Sequence, residues 1–142
     1  MSESLSGRCL CGACSFRSEG GAQFVGHCHC VDCRKASGAG RCTHVVAPEA
    51  GFTVEGPVRR FDKPADSGSM VSRFFCETCG SPLYSTNDRM PGMVFLRAGA
   101  LDDPDAVTPQ MTVYASRAPV WDRADDGLPR FEVMPGPADM PV

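Results

Sequence analysis

Seven of the nine cysteines in this 142-residue chain fall into three tight groups, and this grouping constrains the fold more than any other feature. The groups are C-x-C at Cys9 and Cys11, C-x-C-x2-C at Cys28, Cys30 and Cys33, and C-x2-C at Cys76 and Cys79. A C-x2-C pair sets two sulfurs about 3.5–4 Å apart around one turn, the edge of a tetrahedral zinc site with bonds of ~2.3 Å. The total is odd, and the N-terminal MSESLSGR lacks the apolar stretch of an export signal, so a disulfide framework is disfavoured. Metal chelation is the expectation, with the chain in the cytoplasm.

Seven thiolates divide into a set of four and a set of three. Residues i and i+2 of a strand share a face, so Cys9 can aim with Cys11 at one ion, and Cys28 with Cys30. Two partitions satisfy the spacing. One joins Cys30, Cys33, Cys76 and Cys79 and leaves Cys9, Cys11 and Cys28. The other joins Cys9, Cys11, Cys76 and Cys79 and leaves Cys28, Cys30 and Cys33. The second lets six consecutive residues wrap one ion, which favours it.

Between the cysteine groups, short β-rich runs recur: CSFRSE, QFVGH, THVVAP, FTVEG, VRRF, MVSRFF, PLYST, MVFLRAG, MTVYAS and RFEVM. Glycine, proline, aspartate and asparagine punctuate them, the pattern of an antiparallel all-β domain. Helix is expected only over residues 31–37 and as a single turn near 102–105, and residues 62–69 read as a loop. One domain over 1–134 followed by a proline-rich disordered tail, 135–142, is the expected organisation. No run of about 18 apolar residues predicts a membrane span. A formal net charge of −3 gives no basic footprint for nucleic acid.

The order GRCLCGA at 7–13, HCHCVDCRK at 27–35 and FFCETCGSPLY at 74–84 resembles the glutathione-dependent formaldehyde-activating enzymes, a family whose domain also occurs in centromere protein V. GALD at 99–102, SRAPVW at 116–121 and GLP at 127–129 extend the resemblance over about residues 5–133. The resemblance implies a mainly β fold of small curved antiparallel sheets in a tent-like arrangement, with two zinc ions. It assigns a structural zinc to Cys9, Cys11, Cys76 and Cys79, and a catalytic-type zinc to Cys28, Cys30 and Cys33. It further implies a carbon–sulfur lyase activity, the formation of S-(hydroxymethyl)glutathione from glutathione and formaldehyde. The partner would be a small thiol such as glutathione; the oligomeric state is left open.

Chemistry agrees with a division of labour between the two sets. Four thiolates saturate a zinc ion and contribute folding energy, whereas three leave a position for a substrate thiol, which zinc deprotonates at neutral pH. Three thiolates also make the ion a poor Lewis acid, so thiol delivery is expected over carbonyl polarisation. Arg34 is the candidate cation for offsetting the charge of this site or holding a substrate carboxylate, with Lys35 and Arg41 behind it. His27 and His29 should point away from the metal, His29 as a hydrogen-bonding support. His44 reads as structural, residues 37–40 as a flexible turn, and Cys14 and Cys42 as buried free thiols, with Cys42 the alternative fourth ligand. Trp121 is expected in the core with Phe74, Phe75 and Tyr84. Two other functions compete: a noncatalytic zinc-stabilised scaffold, and a sulfoxide reductase, which would need a reactive cysteine outside both sites.

Overall fold

Alternating burial along ten short strands builds two sheets. The computed structural model describes residues 3–123 and 125–135. In chain order the strands are β1 (Leu5–Arg8), β2 (Ser15–Ser18), β3 (Phe24–Cys28), β4 (Cys42–Pro48), β5 (Phe52–Glu55), β6 (Val58–Pro64), β7 (Met70–Cys76), β8 (Pro82–Asn87), β9 (Met93–Arg97) and β10 (Met111–Val113). The one α-helix among the described residues, α1, spans Val31–Ser37, as the sequence predicts. A 3-10 turn at Pro104–Ala106 stands close to the expected helical turn. No described helix is long and apolar enough to cross a membrane.

The smaller sheet is antiparallel, in the order β1-β2-β5. The larger has the order β10-β3-β4-β9-β8-β7-β6, antiparallel throughout except that β10 lies parallel to β3. Leu5 and Phe16 of the small sheet meet Val25, Val45, Ala47, Leu83, Tyr84, Val94 and Leu96 of the large one in a single buried cluster. Cys9, Cys14 and Cys76 lie in the same cluster, so the first cysteine set is continuous with the core. Phe74 stacks on Tyr84 at 4.4 Å between ring centroids, and Phe52 meets Tyr84 edge-on. The expected mainly β fold is what the chain adopts.

Cross-strand register decides which residues share the other face of the large sheet. One row runs Phe24, Val46, Phe95, Ser85, Arg73 across β3, β4, β9, β8 and β7. The next row holds Met111, Gly26, His44 and Arg97, and the third holds Val113, Cys28 and Cys42. Directly opposed residues point to one face. The second cysteine set therefore sits at one corner of this face and Arg73 toward the opposite edge.

Three expectations need correction. Strand β6 continues through residues 62–64, since Asp62, Lys63 and Pro64 pair with Ser72, Val71 and Met70, and only 65–69 form the turn. Those polar residues suit an exposed edge strand, where charge discourages further pairing. The RFEVM run forms only a bridge at Arg130, although Phe131 and Val133 exchange backbone hydrogen bonds with residues 112–115. Trp121 is 74% exposed on a 3-10 turn, Val120–Asp122, and is no part of the core. Of the tail expected over 135–142, only Pro135 falls within the described residues.

Candidate metal centres and the adjoining cleft

Cys9, Cys11, Cys76 and Cys79 bring their sulfurs within 4.8 Å of one another. The Cys9–Cys11 and Cys11–Cys76 separations are 3.6 and 3.8 Å, against the ~3.8 Å edge of a tetrahedron with 2.3 Å metal–sulfur bonds. Two turns build this site. Cys9 and Cys11 lie in the turn after β1, closed by Cys9 N–H to Cys14 O at 3.0 Å, rather than on a strand face as the spacing suggested. Cys76 ends β7, and the turn behind it is closed by Gly80 N–H to Cys76 O at 2.8 Å, with Gly80 in the left-handed region. Backbone N–H groups of Cys14 and Cys79 donate to the sulfurs of Cys9 and Cys76. The Ser81 side chain and backbone hold the Cys79 thiol down to about 5. Four sulfur donors at these separations fit a divalent soft cation.

The geometry also fixes where Gly56 is needed. Its φ is +106°, and a Cβ there would stand 2.2 Å from the carbonyl oxygen of Ala13, in the turn that carries the first pair of cysteines.

Cys28, Cys30 and Cys33 form the second set, again within 4.8 Å. Cys28 closes β3, Cys30 caps α1 and Cys33 faces inward from its first turn. The Cys30 sulfur accepts from the Cys33 N–H at 3.3 Å. Hydrogen bonds from Cys28 and then Cys33 hold the Cys30 thiol down to about 2. The same contact with Cys30 pushes Cys28 up to about 12, and Cys28 and Cys30 together push Cys33 far up. The three sulfurs oppose one another's ionisation; a divalent cation would remove the mutual repulsion and let all three ionise.

His44 adjoins this set. Its Nε2 lies 3.3 Å from the Cys33 sulfur, and its Nδ1 lies 3.0 Å from Arg97 Nη1. Arginine is always protonated and can only donate, so Nδ1 must accept and Nε2 carries the proton toward Cys33. Burial, then the Arg97 charge, presses the His44 pKa well below the ordinary value, which keeps the ring neutral. Arg97 is itself anchored to Ser85 Oγ and Phe95 O. The sequence reads His44 as a structural residue of an apolar strand; it does lie in β4, and the register Gly26–His44–Arg97 puts it on the cleft face.

The remaining candidates fall around these groups. His29 is buried with Nδ1 2.8 Å from Gly40 O and 3.8 Å from Asp122, a supporting position beside the ligand turn. His27 pairs with Thr43 Oγ1 at 2.7 Å. Gly38 caps α1 in the left-handed region, which accounts for the turn after the helix. Arg34 is half-buried on α1, Lys35 is exposed, and Arg41 lies 3.9 Å from Asp122. Cys42 packs against Cys28 and Cys33, yet its sulfur lies beyond 4.8 Å from at least one of the three. It lines a separate cleft of about 480 Å³ with Arg8, Arg41 and Arg97. Burial raises the thiol pKa of both Cys42 and Cys14.

A cleft of about 330 Å³ opens beside the second set. Its floor is the sheet face described above, its rim the 65–69 turn, and Tyr114 closes it near the cysteines. Tyr114 is the one non-glycine with positive φ among the described residues, at +53°. Such strain persists where surrounding contacts impose it, and here Tyr114 packs against the buried cluster of Cys28, Cys33 and Cys42.

The model of the glutathione-dependent formaldehyde-activating enzyme family matches residues 4–117. The chain belongs to this family. A Halomonas elongata protein named "Putative glutathione-dependent formaldehyde-activating enzyme" is 31% identical over 103 residues, 69% of this chain. That match spans 66% of the relative, just under two thirds of its length. A crystal structure of a Rhodobacter sphaeroides protein superimposes with a TM-score of 0.57 at 20% identity, covering 73% of this chain and 91% of that one, and supports the fold alone. For this member of the formaldehyde-activating family, both cysteine sets lie within the matched segment and could each hold a metal ion.

Proposed function

We propose that the chain is a zinc-dependent enzyme of the carbon–sulfur lyase type that joins glutathione to formaldehyde. The observation that carries the reading is the three-cysteine set with its open side on a cleft. A structural zinc at Cys9, Cys11, Cys76 and Cys79 would tie the two sheets together, as saturated sites do. A second zinc at Cys28, Cys30 and Cys33 would supply a centre where a thiol is held deprotonated at neutral pH. All nine cysteines are free thiols in the described structure, which suits the reducing, glutathione-rich cytoplasm as the place of action.

The residues then divide the work. The glutathione sulfur forms a bond to the carbonyl carbon, the π pair of the C=O bond moves to oxygen, and oxygen takes up a proton to give S-(hydroxymethyl)glutathione. The Tyr114 hydroxyl has no hydrogen-bond partner among the described residues and lines the cleft, so it is placed to donate to that oxygen. His44 donates to Cys33 and lowers the charge that the sulfurs present to an incoming thiolate. Arg34, next to Cys33, offsets the same charge from the helix side. One domain over 1–134 carries both sites.

The test is carbon-13 NMR of labelled formaldehyde mixed with glutathione and zinc-loaded protein. Adduct should form faster than in the uncatalysed mixture, and Tyr114→Phe should slow it. A rate equal to the uncatalysed one would assign both zinc sites to scaffolding.

A further inference from the structure

The cleft floor holds a cation that the fold leaves unused. Arg73, on β7, lines the cleft, and its Nε is buried without a hydrogen-bond partner. Its guanidinium makes no hydrogen bond or ion pair with any described residue. Three other cations nearby are committed: Arg97 to His44, Ser85 and Phe95 O, Lys63 to Asp32, and Arg89 to Ser67 O. A buried donor left unsatisfied is costly, more so for a charged group, so a bare guanidinium nitrogen on a cleft floor marks a place where a ligand completes the bonding.

Resting on the reading of the cysteine set as a thiol-binding centre, we propose that Arg73 is the carboxylate anchor for the thiol substrate. The anchor selects thiols whose acid group stands several bonds from sulfur, as in a short peptide. The planar Nε–Nη fork matches a carboxylate in two parallel hydrogen bonds. Spacing sets the ligand's length. Cys28 on β3 and Arg73 on β7 are four strand intervals apart, and Phe24, which is in register with Arg73, lies four residues from Cys28, so the limit between backbones on a flat sheet is about 23 Å. The arginine reaches back across the face, near enough for its charge to act on His44 and Cys42 of β4. A carboxylate one or two carbons from sulfur would remain with the cysteines; one at the end of a peptide crosses the floor. Of the two lining carboxylates, Asp32 is held by Lys63 at 3.0 Å, while Asp66 on the rim has no ion pair. A positive floor and a negative rim suit a ligand that carries an amine as well as an acid.

S-methylglutathione tests the anchor separately from thiol capture, because its sulfur carries no ionisable proton. Binding to the zinc-loaded protein would be followed by calorimetry and by the Arg73 Nε–H resonance. The expected result is saturable binding that shifts this resonance, weakened roughly 10- to 100-fold in Arg73→Gln and less in Arg73→Lys. The dimethyl ester of the same compound should bind the unaltered protein as weakly as the free acid binds Arg73→Gln. Zinc content and circular dichroism of the variants report whether the fold survives, and the ester comparison needs no variant. Absence of binding to the unaltered protein, or equal affinity for acid and ester, would overturn the anchor. S-methylglutathione binding without any coordination of free glutathione would uphold it and refute the thiol-capture reading alone.

Discussion

His44 shows how a single proton position follows from neighbours that the sequence does not place together. Arg97 can only donate, so the ring must accept at Nδ1 and present Nε2–H to Cys33. A nitrogen that carries a proton does not ligate a metal, and this arrangement makes His44 a support for a thiolate instead of a fourth ligand. Long-range proton–nitrogen NMR of the zinc-loaded protein should show the Nε2–H tautomer. Arg97→Met, which keeps length and burial, should release the ring to populate Nδ1–H. An Nδ1–H ring in the unaltered protein would refute the assignment. The cysteines were legible at this scale because their spacing is local. His44, Arg73 and Tyr114 were not, because no short-range pattern marks a residue whose role comes from cross-strand register or a left-handed backbone.

At the level of elements, the two cysteine sets differ in what they connect. Cys9 and Cys11 follow a strand of the small sheet and Cys76 ends a strand of the large one, so the first set bridges elements some 65 residues apart. Cys28, Cys30 and Cys33 lie within one strand-to-helix connection. Cys79→Ser should therefore lower the thermal midpoint sharply or abolish folding, whereas Cys30→Ser should stay folded and lose one metal. Equal damage from both, read by calorimetry and metal analysis, would contradict this division. The strands themselves were readable from alternation and turn residues, and α1 from its position after Cys30. Edge strand β6 was misread past Phe61 because charge signals exposure, and exposure does not distinguish a loop from a sheet edge. Trp121, expected in the core with Phe74, Phe75 and Tyr84, is exposed because it stands on a 3-10 turn that the sequence does not announce.

For the whole molecule, two filled sites should make metal loss stepwise. Protein prepared with zinc and reductant should carry two zinc ions per chain. Titration with a chelator should remove one ion with the fold intact and the second with cooperative unfolding, since only the four-cysteine site joins the two sheets. One ion per chain, or a single unfolding step accompanying both losses, would collapse the two sites into one role.

The open position at Cys28, Cys30 and Cys33 is tested most directly by replacing zinc with cobalt and adding glutathione. The visible d–d bands of the second site should shift toward those of a four-sulfur environment, saturably, while the bands of the first site stay fixed. Cobalt bands at Cys28, Cys30 and Cys33 that remain unchanged with glutathione and with other small thiols would contradict thiol capture at this centre.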